Sequence, residues 1–276
     1  MQRCNECLTI RCWTRTGKTI DGVSQWQCRN CGNKQLEERP VGLKIPPKIL
    51  YLDIETALMS VDLYDLKVYS KYISYKFITQ HSYVINWAAA WLDTEYNIIG
   101  RIKSGVCTAD EAKRRDDKRI LRPLWEMMDI SDYISGHNSD NFDIKKLNWR
   151  FMANKMGLPY KSKRLDTYKM IGKHTKPPSK GLEFQSVTLG GSRKKSLSLE
   201  EWQAIVNVNT DESVRTKLLK KANVYCRGDV NEGVLVLREY ASAIEHSGDE
   251  LVYKNVKKSN RLTKEQKKQR DVIKCE

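Results

Sequence analysis

The sequence lacks an apolar run long enough to cross a membrane. A spanning helix needs about 20 consecutive apolar residues, whereas the longest candidate, residues 83–92, is short and contains Asn86. The first residues place Arg3 and Glu6 among cysteines, which is unlike a secretion signal. These absences argue against a membrane protein and predict a cytoplasmic protein without a membrane partner.

Several signatures of nucleotide-dependent and nucleophilic enzymes are also missing. The chain has no glycine-rich phosphate loop, no serine-nucleophile motif and no cofactor fingerprint. Of its 4 histidines, three have no metal-ligand spacing: His81, His174 and His246. We interpret His137 as structural, although it stands beside an acidic motif.

Acidic residues are in the minority. The chain has 49 Lys and Arg against 34 Asp and Glu, which gives a formal net charge of +15 and a pI of about 9.4. A protein this basic usually binds a polyanion, most often nucleic acid. The alternative is a solvated basic surface that has no partner. Hydrophobic residues make up 40% of the 276 residues, which is enough for a globular core.

Composition divides the chain into four segments. Residues 1–40 are basic, cysteine-rich and too poor in aliphatic residues to form a core, and residues 41–48 form a proline-containing linker. In residues 49–248, strand patterns are interleaved with helix patterns, which predicts an α/β fold with a mixed sheet flanked by helices. Residues 249–276 form a basic tail.

Local patterns predict the elements of the α/β segment. Two capping boxes, Thr108 with Glu111 and Ser198 with Glu201, mark helix starts. Strands are expected at 49–52, 83–92, 98–106 and 133–135, with a hairpin turn at 93–97. Helices are expected at 108–128, 142–156, 198–206, 211–225 and 228–244, and residues 172–196 are expected to form a loop.

Four of the eight cysteines form two CxxC pairs, Cys4 with Cys7 and Cys28 with Cys31, separated by a spacer of 20 residues. Two such pairs can present four thiolates to one tetrahedral Zn²⁺. The segment around the second pair resembles the second knuckle of zinc ribbons in transposases and other DNA-binding proteins. We therefore predict one structural Zn²⁺; buried or redox-active thiols are the alternative.

Carboxylates occupy three separated positions that indicate a metal site. Asp53 and Glu55 end the first predicted strand, where alternate side chains share one face. Asp143 lies in the first turn of the next predicted helix, and Tyr225 and Asp229 lie near a later helix start. Neighbouring carboxylates repel one another unless cations neutralise them. Oxygen-only ligands favour Mg²⁺ or Mn²⁺.

The order of these motifs resembles that of the DEDD-type 3′–5′ exonucleases of the RNase H-like superfamily. The second motif, Asn138-x-x-x-Phe142-Asp143, is similar to that of the proofreading domains of family B DNA polymerases. Tyr225-x-x-x-Asp229 indicates the tyrosine subclass, because the histidine subclass would have His where Val224 stands. The resemblance covers about residues 49–240.

The resemblance implies an RNase H-like fold and hydrolysis with two Mg²⁺ or Mn²⁺ ions. Asp53 would bridge the two ions, Glu55 and Asp229 would complete one site, and Asp143 would help hold the other ion. Tyr225 would orient the attacking water. The implied substrate is the 3′ end of single-stranded DNA.

Nucleic acid is the expected partner, with DNA favoured over RNA. The expected contacts are two residues of the second motif and four cations of the predicted loop: Asn138, Phe142, Lys180, Arg193, Lys194 and Lys195. An ordinary solvated loop is the alternative for the four cations. Replication or repair proteins are conceivable partners by analogy alone.

Three other functions remain open from the sequence. The chain could be a 3′–5′ exoribonuclease, a structure-selective endonuclease, or a nucleic-acid-binding recruitment protein with a nuclease-like core. The four acidic positions and Tyr225 argue against the recruitment protein, and the Tyr-x-x-x-Asp motif favours cleavage from an end.

Overall fold

The computed structural model describes residues 13–20, 23–28, 34–36, 46–64, 73–192, 196–247 and 251. The chain divides into two compact units, of which the second comprises Pro46–Lys254. In the part of the chain that is described, no helix combines the length and apolar character that a membrane span requires.

In the N-terminal unit, the described strands are β1 (Trp13–Ile20), β2 (Val23–Cys28) and β3 (Lys34–Leu36). They form one antiparallel sheet in that order. Cys28 is the last residue of β2 and pairs with Trp13 of β1. The other predicted zinc ligands, Cys4, Cys7 and Cys31, lie outside the described residues.

The second unit contains a mixed sheet and a small hairpin. The sheet strands are β4 (Ile49–Thr56), β7 (Val84–Leu92), β8 (Ile98–Val106), β9 (Tyr133–Gly136) and β10 (Lys163–Asp166). The hairpin strands are β5 (Ser60–Val61) and β6 (Ile78–Gln80), preceded by a 3-10 turn at Tyr75–Phe77.

β4 is the centre of the sheet, whose described strands are ordered β10-β9-β4-β7-β8. It runs antiparallel to β7 and parallel to β9; β7 and β8 are antiparallel, and β9 and β10 are parallel. The predicted α/β fold, a mixed sheet flanked by helices, is confirmed.

The helices of this unit lie on both faces of the sheet. Within residues 46–247, they are α1 (Ala109–Arg114), α2 (Lys118–Asp129), α3 (Asp143–Ala153), α4 (Thr167–His174), α5 (Leu182–Thr188), α6 (Leu199–Val206) and α7 (Glu212–His246). Both predicted capping boxes are present, with the Thr108 and Ser198 side chains accepting from Glu111 N and Glu201 N.

Side chains of β4 alternate between two buried cores. Leu50, Leu52 and Ile54 belong to one apolar cluster with residues of α2 and α3. Ile49 and Tyr51 belong to another with residues of α4 and α7. Burying such a side chain contributes about 1.5–3 kcal/mol. The buried alternation fixes the register of β4 and therefore the face on which Asp53 and Glu55 lie.

Three predicted helices were wrong in their boundaries. The helix expected at 108–128 is broken between α1 and α2, where Arg115 adopts a left-handed conformation with φ of 57°. The two helices expected at 211–225 and 228–244 form one helix, α7. A glycine such as Gly228 costs about 1 kcal/mol in a helix interior, and packing of α7 against β4, β7 and β8 offsets that cost.

The prediction of a loop at 172–196 was also wrong in part, because it contains α5. This helix is held through polar side chains. Gln185 donates to Ser179 O and accepts from the Tyr240 hydroxyl at 2.8 Å, and Ser186 donates to Glu232. Because the anchors are polar, no apolar periodicity marked the helix in the sequence.

Candidate active site

Three carboxylates meet where the central strand ends. Asp53 and Glu55 are two residues apart on β4 and therefore project from the same face of the sheet. Asp229 reaches them from α7, which packs on that face. One carboxylate oxygen from each of the three residues lies within 4.8 Å of the other two. This set of oxygen donors fits a hard divalent cation.

The α7 residues of the site lie within a long helix. Tyr225 and Asp229 are four residues apart, so they occupy the same side of α7. The expectation that they lie near a helix start was wrong. Tyr225 hydrogen-bonds the Asp229 side chain, which places its hydroxyl beside the carboxylate cluster.

Asp143 joins the site through the backbone of β4. It is the first residue of α3, is buried, and its Oδ1 accepts a hydrogen bond from Ile54 N at 3.1 Å. That amide lies between Asp53 and Glu55 in the sequence. All four predicted acidic residues are therefore brought to one end of β4, although Asp143 is not among the three whose oxygens lie within 4.8 Å.

Burial and neighbouring carboxylates disfavour the ionised form of Asp53. Burial, followed by repulsion from Asp143, Glu55 and Asp229, raises the pKa of Asp53 well above its usual range. Burial also raises the pKa of Asp143 to about 7. Divalent cations would relieve both effects by supplying the missing positive charge.

Cys226 contacts the central carboxylate directly. Its Sγ lies 3.4 Å from Asp53 Oδ2 and 3.5 Å from Asp53 O, and the side chain is fully buried. Burial, followed by repulsion from Asp53, raises the pKa of the thiol, so the thiol keeps its proton and donates it. Cys226 was not among the residues predicted for the site, although it directly follows Tyr225 in the third motif.

Asp166 holds the loop of the second motif. Its Oδ1 accepts from Asn138 N at 3.0 Å, and its Oδ2 accepts from Asp140 N at 3.1 Å. The same carboxylate caps α4 by accepting from Tyr168 N. This residue was not predicted as part of the site.

Asn138 shapes the loop that leads to Asp143. Its φ of 57° is left-handed, a conformation that Asn tolerates better than most residues. Its side-chain oxygen accepts from Asn141 Nδ2 at 3.0 Å. The structure thus gives Asn138 a local structural role, and contact with substrate stays a prediction.

The other predicted nucleic-acid contacts are described in part. Phe142 is 41% exposed beside Asp143. Lys180 Nζ lies 4.9 Å from the centroid of the Tyr168 ring, so its charge is placed over an aromatic face. Arg193, Lys194 and Lys195 lie outside the described residues.

Tyr51 lies beneath the carboxylates on the same face of β4. Its hydroxyl is buried and has no hydrogen-bond partner among the residues whose positions are described. It lies against Gly233 of α7, where an added Cβ would overlap the hydroxyl. Gly233 therefore sets the close approach of α7 to the central strand.

Comparison with protein-family models and with curated proteins gives no match. Among solved structures, the chain is similar to a family B DNA polymerase from the hyperthermophilic archaeon Pyrobaculum calidifontis, with 17% identity and a TM-score of 0.48. The match covers 84% of this chain and 28% of the polymerase chain. The chain is also similar to E. coli Exonuclease I in complex with a dT13 oligonucleotide, with 15% identity, a TM-score of 0.39, and coverage of 74% and 43%. The chain spans less than half the length of either protein.

Proposed function

We propose that this chain is a metal-dependent 3′–5′ exonuclease that hydrolyses phosphodiester bonds at the 3′ end of single-stranded DNA. The observation that carries the proposal is the meeting of Asp53, Glu55 and Asp229 oxygens within 4.8 Å, with Tyr225 bonded to Asp229. Asp143, attached to the same strand, supplies a fourth carboxylate. The 3′–5′ direction rests on the resemblance of the three motifs.

The residues of the site have separable tasks in such a reaction. Asp53, Glu55, Asp143 and Asp229 would hold two Mg²⁺ or Mn²⁺ ions. When bound, these ions lower the pKa of a coordinated water and neutralise charge on the leaving oxygen. Cys226 fixes one oxygen of Asp53 by donating to it.

Tyr225 is suited to orient a water molecule. Burial, followed by repulsion from Asp229 and Glu55, raises the pKa of its hydroxyl above the ordinary value. The hydroxyl therefore keeps its proton at neutral pH and cannot act as a general base. Its role is to position the attacking water by hydrogen bonding, as the tyrosine subclass implies.

The direct test is cleavage of 5′-labelled oligonucleotides by the purified full chain. Single-stranded DNA, 3′-recessed DNA and RNA would each be incubated with Mg²⁺, Mn²⁺ or a chelator. We expect a ladder that shortens from the 3′ end of DNA, needs a divalent cation and disappears in Asp53→Ala. The exposed Asp62 provides a matched control, because Asp62→Ala removes a carboxylate from the surface.

The products separate this proposal from its alternatives. Internal fragments would indicate an endonuclease, and a ladder on RNA alone would indicate an exoribonuclease. Tight binding of oligonucleotides without cleavage would indicate a recruitment protein. An Asp53→Ala protein that is folded by circular dichroism yet still cleaves would refute the assignment of the site.

We also propose that residues 1–40 bind one structural Zn²⁺ through Cys4, Cys7, Cys28 and Cys31. The described part of this segment is a small antiparallel sheet, and Cys28 ends its middle strand. Elemental analysis of the purified chain should find one zinc ion per molecule, and Cys28→Ser should lose it. Retention of full zinc content in that variant would exclude the four-cysteine site.

A further inference from the structure

A basic cavity of about 340 Å³ lies outside the carboxylate cluster. It is formed where the segment after β6 meets the end of α1, the middle of α3 and the turn before α7. Its polar lining includes three Lys and Arg side chains together with hydroxyl, amide and imidazole side chains: Lys113, Arg115, Arg150, Thr79, Ser82, Gln80 and His81. Neither the motifs nor the proposed reaction accounts for it.

Arg115 gives the cavity its most constrained charge. It caps α1 in a left-handed conformation and lies over the Tyr83 ring, 5.5 Å from the centroid. Its guanidinium donates to His81 O at 2.7 Å and to the side-chain oxygen of Gln80, and both acceptors are neutral. Burial lowers the pKa of Arg115. The fold thus holds a half-buried cation on neutral acceptors.

Arg150 contributes little net charge, because it is neutralised. Its guanidinium donates twice to Asp117, at 2.7 and 2.8 Å, and that carboxylate is fully buried. Asp117 also accepts from Val84 N at 2.9 Å. The pair therefore serves as a fixed wall of the cavity.

Lys113 adds a second uncompensated charge to the lining. It is exposed on α1 and forms no ion pair within the described parts of the chain. The acidic residues of α1 are engaged elsewhere, Asp110 with Arg114 and Glu111 with Arg119. With Arg150 neutralised by Asp117, Lys113 and Arg115 leave the cavity with a net charge of about +2.

We infer that this cavity binds a phosphate group. A guanidinium and an ammonium beside a hydroxyl, here that of Thr79, are groups that recognise phosphate oxygens in proteins. The Ser82 hydroxyl already donates to Ala57 O at 2.9 Å. The volume exceeds that of a phosphate alone and leaves room for an attached sugar. Two sources carry this chemistry: a phosphate within a nucleic-acid strand, and a free mononucleotide.

The geometry favours a nucleic-acid strand as the source of the phosphate. Arg150 follows Asp143 by seven residues on α3, so the two lie on nearly the same side of the helix and about 10 Å apart along its axis. At the 3.4 Å spacing of a stacked strand, that distance corresponds to about three nucleotides. A strand whose 3′ end lies at the carboxylates could therefore place an upstream phosphate here. This choice of source rests on the proposed function, whereas phosphate binding does not.

The first experiment measures phosphate binding without turnover. The full chain in chelator is titrated with inorganic phosphate and with a 5′-mononucleotide by calorimetry. We compare wild type, Lys113→Gln and Arg115→Gln with Lys118→Gln, which removes an exposed lysine that does not line the cavity. We expect both cavity variants to weaken binding about tenfold, as for one lost charge-assisted contact, and Lys118→Gln to bind as wild type. Equal affinities in all four proteins would overturn the inference.

The second experiment identifies the source. Wild type and Lys113→Gln are compared on a dinucleotide, which is too short to reach the cavity, and on an eight-nucleotide strand. A strand site predicts a KM raised about tenfold for the longer substrate only, with an unchanged kcat. Weaker mononucleotide binding with unchanged KM on both substrates would assign the site to a free nucleotide. If wild type cleaves neither substrate, the proposed function fails, while the calorimetry still tests the phosphate site.

Discussion

The pKa of Asp143 leads to a prediction about stability that is independent of activity. Burial raises this pKa from 3.8 to about 7. Below about pH 4, the carboxyl is protonated in both the folded and the unfolded chain. Between about pH 4 and 7, the folded state keeps a proton that the unfolded state releases, so stability falls as pH rises through this window. Above about pH 7, the ionised and buried carboxylate opposes folding in full.

Asp143→Asn removes this penalty while keeping the shape and the acceptor for Ile54 N. The shift of about three pKa units corresponds to at most about 4 kcal/mol. The metal-free variant should therefore be more stable than the wild type by up to that amount at pH 8. The difference should shrink towards zero near pH 4.

The assay is urea unfolding of both proteins in chelator, followed by circular dichroism at several pH values from 4 to 8. Asp62→Asn serves as the control, because it makes the same chemical change at an exposed position. Added Mn²⁺ should stabilise the wild type more than Asp143→Asn, since the cation binds the ionised carboxylates. Parallel pH profiles for the wild type and Asp143→Asn would refute the reasoning.

Three further changes test the rest of the site. Cys226→Ser keeps a donor to Asp53 and should retain most activity. Cys226→Ala should raise the Mn²⁺ concentration needed for half-maximal cleavage several-fold. Equal Mn²⁺ titrations of Cys226→Ala and the wild type would exclude a positioning role for Cys226. Tyr225→Phe should lower kcat about 10²-fold but less than Asp53→Ala does, and a total loss in single-turnover assays would indicate another role. Gly233→Ala should destabilise the fold by about 1–3 kcal/mol, because its Cβ would overlap the Tyr51 hydroxyl; unchanged urea unfolding would contradict this.

The sequence predicted the parts of the fold that depend on local patterns. The uninterrupted apolar residues of β4, the hairpin turn at Asp93 and both capping boxes need only neighbours in the chain, and each is present in the structure. Asp53 and Glu55 lie at the end of β4 and Asp143 begins α3, positions that an α/β fold can bring to one edge. Asp229 lies in the middle of α7 and could be assigned to the site only through the resemblance of the three motifs.

Features that join distant segments left little local signal. Cys226 on Asp53 and Asp166 on the Asn138 loop are contacts between residues far apart in the chain. The phosphate cavity likewise combines the segment after β6, α1 and α3. The net charge of the cavity depends on two contacts that the sequence does not show. Asp117 neutralises Arg150. Arg115 donates to neutral acceptors and keeps its charge uncompensated.

The error at α7 differs, because the sequence did contain the necessary signal. Gly228 was interpreted as a break, yet buried residues recur at helical spacing on both sides of it: Leu219, Ala222, Cys226, Val230, Val234, Leu237, Ala241 and Ile244. An added Cβ at Gly228 would meet nothing within 4 Å, so the glycine is not needed for packing. Continuity of the helix has a chemical consequence. It holds Tyr225, Asp229 and Gly233 at successive turns of one face, and a break at 228 would separate Tyr225 from the carboxylate that it bonds.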